Sequence, residues 1–284
     1  MLSAVLWSTV GLYVRYLQMD VWSLLFWRSL FASLALFGLV FFQERRGSVS
    51  AVLAISGIGL LAAVVSAASM ASYIVAVSFT SVGNVLTVFG AMPFVAAGIA
   101  YLWLGERARP RVLIASALAL GGIVFMMGAA ATPGDVIGIL LAFSMTVTWG
   151  WIVVLSQRYP ELGMAPVNAV GALLCAAACM PLMSWDLPSP TELMLLAVFG
   201  ASTTALAFMA YLAGARHITA SECGLIGQID LVLGPIWVWL AFSENPGAST
   251  IIGGLVVLGA VLWFLAAPNA PPARDADVAD SLNS

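Results

Sequence analysis

Long apolar runs separated by short polar turns make up the chain from its first residues to about residue 267. Each run approaches the ~20 residues that a helix needs to cross the hydrocarbon core of a bilayer. The pattern predicts an all-α integral membrane protein with ten transmembrane helices, which we number spans 1 to 10. They are predicted at residues 2–17, 21–42, 51–79, 82–104, 112–127, 136–156, 165–184, 193–215, 221–242 and 250–266.

Span 4 contains residues that interrupt helices. Gly90, Pro93 and Gly98 lie inside its apolar run, and such residues weaken or kink a helix but are commoner in membrane spans than in soluble helices. Span 9 contains Pro235. We predict that Gly90, Pro93 and Pro235 act in gating, because they let their helices bend.

The arginine residues outside the predicted spans are confined to alternate loops and the C-terminal tail. The loops after spans 2, 4, 6 and 8, with the C-terminal tail, hold Arg45, Arg46, Arg107, Arg109, Arg111, Arg158, Arg216 and Arg274. The other loops contain no arginine and hold Asp20, Asp135, Asp186, Glu192 and Glu244. Cytoplasmic loops are enriched in Lys and Arg. We therefore predict that both termini are cytoplasmic, in what we take to be a bacterial inner membrane.

The second half of the chain repeats features of the first. An offset of 138 residues places Glu106 on Glu244 and residues 119–122 on 257–260. Five spans is an odd number, so the second half would enter the membrane from the opposite side. Inverted repeats of this kind are typical of secondary transporters, whose substrate site lies near the midplane between the halves. We predict halves at 1–128 and 136–267, a short linker at 129–135, and a disordered cytoplasmic tail at 268–284.

These residues resemble a known family. Pro93 in its helix, then Leu104-Gly105-Glu106-Arg107, then an Ala/Gly-rich span with Gly121-Gly122 is similar to the EamA domain of the drug/metabolite transporter superfamily. The second copy is a weaker match, and the resemblance extends to about Pro268. The opening stretch VLWSTVGLYVR resembles that of YddG-type amino acid exporters. The resemblance implies two five-helix halves that export a small metabolite by alternating access, with aromatic or large neutral amino acids as the leading class.

A charge deep in a membrane span is costly and is a functional candidate by default. Asp230 lies nine residues into span 9, about 14 Å at ~1.5 Å per residue and so near the middle of a ~30 Å core. Gln228 lies two residues earlier. The family often has an acidic residue followed by Pro at this point, whereas here Leu231 follows. Asp230 would bind a substrate amine or carry a proton; the alternatives are a structural pair with Arg28 or a hydrogen bond to a backbone carbonyl.

Arg28 lies about two helical turns into span 2, on its outer side. It would bind a substrate carboxylate through a bidentate pair. A structural ion pair, or snorkelling of the side chain to the outer surface, is an equally weighted alternative. Arg15 is close to the outer end of span 1, where snorkelling is favoured.

Aromatic side chains with a polar edge form a second group of site candidates. Trp7, Trp149 and Trp151 lie on the first span of each half, and Tyr73 lies on span 3. Trp149 is well inside its span and fits an interfacial aromatic belt poorly. We predict that these four residues line a substrate cavity that accepts an apolar side chain, with a belt or packing role as the alternative for each tryptophan.

Composition excludes a soluble domain, because 62% of residues are hydrophobic and only 8% are charged. No nucleotide-binding loop, His cluster or metal-ligand spacing occurs. Cys175 and Cys179 share a helix face without a nearby His or carboxylate, and are predicted to be packing residues. The sequence thus predicts no enzyme, catalytic residue, metal or cofactor. The predicted partners are a small-molecule substrate and the lipid bilayer, without nucleic acid.

Two other classes of membrane protein are alternatives to a carrier. A channel would need a continuous polar helix face through several spans, and a membrane-embedded enzyme would need an acid–base or metal cluster. The sequence shows neither pattern. Another small metabolite or a drug-like cation is the alternative substrate. A monomer is predicted to suffice, because one chain contains both halves.

Overall fold

The computed structural model describes residues 2–43, 57–105, 110–128, 132–159, 162–215, 229–245 and 247–266. Regular structure in these ranges is helical throughout. The helices are α1 (Leu2–Ser8), α2 (Val10–Leu17), α3 (Val21–Gln43), α4 (Gly57–Phe79), α5 (Val82–Phe89), α6 (Met92–Leu104), α7 (Pro110–Gly128), α8 (Pro133–Arg158), α9 (Met164–Cys179), α10 (Pro190–Gly200), α11 (Ala207–Ala215), α12 (Ile229–Phe242) and α13 (Gly247–Leu265). A π-helical segment, Ala201–Leu206, joins α10 to α11.

These helices form the ten spans of an integral membrane protein. Six helical stretches, those of spans 2, 3, 4, 6, 8 and 10, are each long and apolar enough to cross a bilayer. Spans 5, 7 and 9 contain shorter apolar helices within the described ranges. Span 1 consists of α1 and α2, which are separated at Thr9. The predicted fold class is confirmed.

Two acidic residues of the arginine-free loops stabilise helix starts. Thr132 and Asp135 form a capping box at α8, and Ser189 and Glu192 form one at α10. In each box the hydroxyl accepts from a backbone N–H and the carboxylate accepts from the N-cap N–H, so free donors at the helix end are satisfied. Both helices also begin with a proline at their first turn, where its missing N–H costs nothing.

Span 4 is interrupted between α5 and α6, at Gly90 and Ala91. Pro93 lies in the first turn of α6, and it has no N–H to donate to the carbonyl of Phe89 four residues earlier. The break thus lies beside the proline that the sequence marks. Pro235 differs, because it lies inside α12 and the helix continues past it.

Most of the extensive packing between spans is repeated when each span is exchanged for the span five places away in the chain. Span 1 packs against spans 8 and 9, and span 6 packs against spans 3 and 4. In the same way span 2 packs against span 8, and span 7 against span 3. Spans 2 and 7, 4 and 9, and 5 and 10 pack against each other. The two repeats are therefore interlocked, since the first span of each packs mainly on the other.

Close approach of span 8 to span 2 requires a glycine. A Cβ on Gly200 would lie 2.6 Å from the carbonyl oxygen of Arg28 and 2.7 Å from the backbone nitrogen of Ala32. Small interfacial residues allow membrane helices to pack backbone against backbone. Gly200 thus brings the end of α10 against the part of span 2 that carries Arg28.

We expect Gly200→Ala to lower the melting temperature of the purified protein in detergent by several degrees. The added methyl group forces backbone apart, and overpacking of this kind typically costs about 1–3 kcal/mol. Gly38→Ala in span 2 is the matched control, because its Cβ would have no neighbour within 4 Å. Equal melting temperatures for the two variants would show that spans 2 and 8 separate freely.

Candidate substrate site

Arg28 is buried within the helix bundle, with 6% of its surface exposed. Its Nε and Nη1 atoms are buried and have no hydrogen-bond partner in the described part of the chain. Its guanidinium carbon lies 4.8 Å from the centre of the Phe199 ring, in a cation–π contact. The side chain therefore points into the protein and does not snorkel to the outer surface.

The Phe199 ring is itself held by a second aromatic side chain. Phe199 is fully buried at the end of α10, and the ring of Tyr13 from α2 stacks on it at 4.7 Å with an interplanar angle of 10°. Arg28, Phe199 and Tyr13 come from spans 2, 8 and 1. We call these three residues the aromatic stack.

Asp230 is also buried, with 6% of its surface exposed. It lies in the first turn of α12, twelve residues before Phe242, which is about 18 Å along the helix at ~1.5 Å per residue. The backbone N–H groups of Asp230 itself and of Leu231 interact with its carboxylate. Gln228, the other predicted polar residue of this span, lies outside the described residues.

Tyr73 lies near both buried charged residues, Arg28 and Asp230. It is half-buried on span 3 and packs against both of the largest clusters of buried apolar side chains. It is close enough to Arg28 and to Asp230 to interact electrostatically with each. Arg28 and Asp230 form no ion pair with each other, since the ion pair found among the described residues is that of Arg15 with Glu244. The fold therefore brings Arg28, Tyr73 and Asp230 into one region without pairing the charges.

Two of the three predicted tryptophans, Trp7 and Trp151, lie in separate aromatic contacts. Trp7 contacts Tyr211 of span 8, with ring centres 5.7 Å apart. Trp151 stacks on Trp103 of span 4 at 5.4 Å, and Trp149 is half-buried on span 6. Each contact pairs span 1 or span 6 with a span of the other repeat.

Gly90 places the interruption of span 4 against the helix that carries Asp230. A Cβ on Gly90 would lie 3.0 Å from a methyl group of Val257 and 3.1 Å from one of Leu231, the residue after Asp230. Bending of span 4 at this point therefore moves groups that contact the start of α12. A change in the bend of span 4 at Gly90 would therefore shift Leu231, the residue next to Asp230.

We expect Pro93→Ala to slow transport while expression and melting temperature stay close to those of the unmodified protein. Alanine restores an N–H that can donate to the Phe89 carbonyl, which favours one continuous helix over α5 and α6. Substrate flux into proteoliposomes measures the effect. Pro190→Ala, at the start of α10, is the control. Unchanged flux in Pro93→Ala would make this proline a packing feature only.

Polar side chains of both repeats are joined at the end of the molecule that carries the acidic loops. Arg15 Nε donates to Glu244 Oε2 at 2.7 Å, and Arg15 Nη2 donates to Glu244 Oε1 at 3.2 Å and to the carbonyl oxygen of Thr80 at 3.0 Å. The Arg15 and Glu244 side chains are 29% and 24% exposed. Arg15 is thus paired across the repeats, whereas the sequence favoured snorkelling.

Two further hydrogen bonds lie beside this ion pair, one to Asp135 at the start of α8 and one that crosses between the repeats. Thr80 Oγ1 donates to Asp135 Oδ1 at 2.8 Å, and Thr250 Oγ1 donates to Asn84 Oδ1. Asn84 Nδ2 in turn donates to Thr80 Oγ1 at 2.8 Å. We call the connected group the outer seal, a name that follows the orientation and the closure proposed below; it comprises Arg15, Thr80, Asn84, Asp135, Glu244 and Thr250.

Sequence reasoning identified the buried charges but missed their surroundings. Phe199 and Tyr13 are aromatic residues within apolar runs and carry no signal that separates them from ordinary core residues. The outer seal did have a signal. Arg15 is a cation at the end of the molecule where the loops are acidic, so an opposite charge was available to it.

Ten membrane helices in two interlocked repeats, with opposite charges buried between them, define a membrane carrier of the inverted-repeat class. The sequence profile of the EamA-like transporter family matches residues 1–128 and 136–266, and the chain belongs to this family. The predicted family is confirmed. The protein is a membrane-embedded transporter of a small substrate.

Two comparisons extend this result. The chain is similar to an "Uncharacterized transporter" from Archaeoglobus fulgidus, at 26% identity over 263 residues that cover 92% of this chain and 93% of the relative. It also matches a protein of known crystal structure with a TM-score of 0.65 and 19% identity, over 100% of this chain and 96% of the other. At that identity the second match shows the fold alone.

Proposed function

We propose that this transporter exports aromatic or large neutral amino acids by alternating access. The observation that carries the proposal is that Arg28 and Asp230 are both buried, oppositely charged and unpaired with each other, with Tyr73 close to both. An α-amino acid carries a carboxylate and an ammonium group on one carbon. Arg28 would bind the carboxylate and Asp230 the ammonium group.

The energetics of buried charge favour a ligand over a structural role. Removing a charge from water costs several kcal/mol unless a partner of opposite charge and good geometry offsets it. A structural ion pair would require contact between Arg28 and Asp230, and the described structure shows no such contact. A zwitterionic substrate that bridges them would place an opposite charge beside each side chain and would satisfy the buried N–H donors of Arg28.

Aromatic surroundings support a substrate with a large apolar side chain. Tyr13, Tyr73 and Phe199 contribute rings near the charged residues. Rings of this kind pack well against a Phe, Trp or Leu side chain. A drug-like organic cation is the second candidate, because Asp230 and aromatic rings also suit a cation, but it leaves the buried guanidinium of Arg28 without a role.

Flux measurements in proteoliposomes test the substrate class. We expect counterflow of radiolabelled L-phenylalanine, with competition by L-tryptophan and L-leucine and weak competition by phenethylamine, which lacks the carboxylate. Stronger competition by phenethylamine or a quaternary ammonium ion would favour the organic cation. Absence of counterflow for every neutral amino acid would overturn the proposal.

Alternating access requires that each end of the molecule opens in turn. The outer seal joins the repeats at one end, which supports the proposal that this end is closed in the described conformation and opens when the seal separates. We further propose that the protein lies in a bacterial inner membrane as a monomer, with halves at 1–128 and 136–267 and both termini in the cytoplasm. The tail predicted at 268–284 lies outside the described residues. In this orientation the outer seal faces away from the cytoplasm.

Reporter fusions test the orientation. We expect cytoplasmic signals from fusions after Arg46, Arg111 and Arg216, and external signals from fusions after Asp135 and Asp186, because arginine-rich loops stay on the cytoplasmic side. A cytoplasmic signal at Asp135 would contradict the inverted arrangement of the two halves.

A further inference from the structure

The aromatic stack holds Arg28 through a cation–π contact. The guanidinium carbon lies 4.8 Å from the Phe199 ring centre. This contact neutralises no charge and gives the guanidinium N–H groups no acceptor atom. Nε and Nη1 are buried and have no acceptor within the described ranges. Arg28 is therefore fixed in place while part of its hydrogen-bonding capacity remains unused.

The stack is supported on both sides by close helix packing. The Tyr13 ring stacks on the Phe199 ring at 4.7 Å and is nearly parallel to it. Gly200, the next residue, lets the α10 backbone reach the backbone of Arg28 itself. Phe199 and Gly200 thus contact the side chain and the main chain of the same arginine, which restricts the direction in which its guanidinium points.

A carboxylate in place of the Phe199 ring could also hold Arg28, but it would change the charge and the free N–H donors that Arg28 offers to a substrate. An acidic partner would occupy the donor groups and neutralise the charge, and it would then compete with an anionic substrate. Among the described residues Arg28 forms no ion pair with a carboxylate, since the ion pair found there joins Arg15 to Glu244. An aromatic face holds the cation without consuming N–H donors.

We infer that Phe199 and Tyr13 are positioning residues which present Arg28 as a receptor for a substrate carboxylate, and that the aromatic stack sets the preference for carboxylates over neutral analogues. The inference rests on the proposed function, which it deepens by naming the subsite of the carboxylate end. It places that end where spans 1, 2 and 8 meet. The remaining part of the substrate then extends toward Tyr73 and Asp230.

Competition with matched ligands tests the inference. L-Phenylalanine and L-phenylalaninamide differ in the carboxylate, so the ratio of their inhibition constants measures carboxylate preference. We expect Phe199→Leu to raise the inhibition constant of phenylalanine about tenfold, in line with a desolvated cation–π contact, with little change for the amide. Phe199→Trp keeps an aromatic face and should restore the preference. Phe264→Leu, which removes a half-buried ring that contacts Phe94 in a different apolar cluster, is the control.

The outcomes separate the positioning role from a structural one. An equal loss of affinity for both ligands in Phe199→Leu, or an unchanged ratio in a folded variant, would overturn the inference. If Phe199→Leu does not yield folded protein, Tyr13→Leu tests the aromatic stack in the same way, and Arg28→Lys tests the carboxylate subsite itself. Lysine keeps the charge but lacks the planar fork, so the preference for phenylalanine over its amide should fall.

Failure of the proposed function has a different signature. Thermal-shift measurements with phenylacetate, which carries the carboxylate and ring but no amine, report on the Arg28 subsite alone. Stabilisation by phenylacetate that Phe199→Leu removes, with no counterflow of any amino acid, would retain the subsite and reject amino acid transport. Counterflow of phenylalanine whose carboxylate preference is insensitive to Phe199→Leu would retain the function and reject the subsite.

Discussion

Replacing Asp230 by Asn is expected to abolish transport or to reduce it by a factor of one hundred or more. Loss of a buried charge contact costs about 3 kcal/mol, which corresponds to a factor of this size. The substitution keeps the size of the side chain and removes its charge. Asp230 is buried within span 9 and interacts with Tyr73, so water cannot replace the missing carboxylate. Counterflow of L-phenylalanine in proteoliposomes, at equal amounts of inserted protein, measures the effect.

Two roles for the acid separate in the same variant. If Asp230 binds the substrate ammonium group, Asp230→Asn loses substrate binding itself. If it carries a coupling proton, exchange without a gradient survives while pH-driven accumulation is lost. Asp186→Asn, an exposed acid in the loop before α10, is the control and should transport normally. Full flux in Asp230→Asn would leave the aspartate as a structural residue.

Breaking the ion pair of the outer seal is expected to open that end of the protein. Arg15→Glu places two carboxylates where Arg15 and Glu244 are now 2.7 Å apart, and it also removes the donor to the Thr80 carbonyl. A partly exposed ion pair is weak by itself, but this one joins the repeats together with two neighbouring hydrogen bonds. We therefore expect a larger effect from the like-charge variant than from the neutral Arg15→Gln.

Accessibility of a buried position beneath the seal provides the measurement. Val238 is 1% exposed and lines a small cleft beside Glu244. In a background without the native cysteines, Val238→Cys should react slowly with a membrane-impermeant thiol reagent added from outside. Arg15→Glu should raise the labelling rate about tenfold or more. A tenfold rise corresponds to destabilisation of the closed state relative to the open state by about 1.4 kcal/mol.

The charge-swapped double variant is the matched control for the seal. Arg15→Glu combined with Glu244→Arg restores opposite charges, so labelling of Val238→Cys should return toward the original rate. Equal labelling in the single and double variants would show that charge pairing does not close this end. Unchanged labelling in Arg15→Glu would mean that the apolar packing alone holds the repeats together here.

Much of the fold follows from one-dimensional features of the sequence. The length of the apolar runs indicated the spans, because only a hydrogen-bonded helix of such length can cross the hydrocarbon core. The charged residues inside those runs indicated Arg28 and Asp230, because a charge there requires a partner or a function. Pro93 indicated the interruption of span 4, because proline removes a helical hydrogen bond.

The packing between spans could not be predicted in this way. A soluble helix shows its buried face by alternating apolar and polar positions, but a membrane span is apolar on all sides. The sequence of span 1 therefore gives no indication that it packs on spans 8 and 9. For the same reason the sequence did not indicate that Phe199 contacts Arg28 or that Tyr13 stacks on Phe199. The division of span 1 at Thr9 and the π-helical segment of span 8 were likewise unmarked.

The interlocked packing of the repeats has a consequence for biogenesis. Spans 1 to 5 are synthesised and enter the bilayer before spans 8 and 9. Span 1 is therefore in the membrane for a time without the helices against which it packs. During this interval Arg28 lacks the ring of Phe199, which is encoded about 170 residues later. The first half therefore completes its packing only after the last helices have been inserted. Truncation after span 7 should leave a nascent chain that membrane quality control recognises through this uncovered arginine.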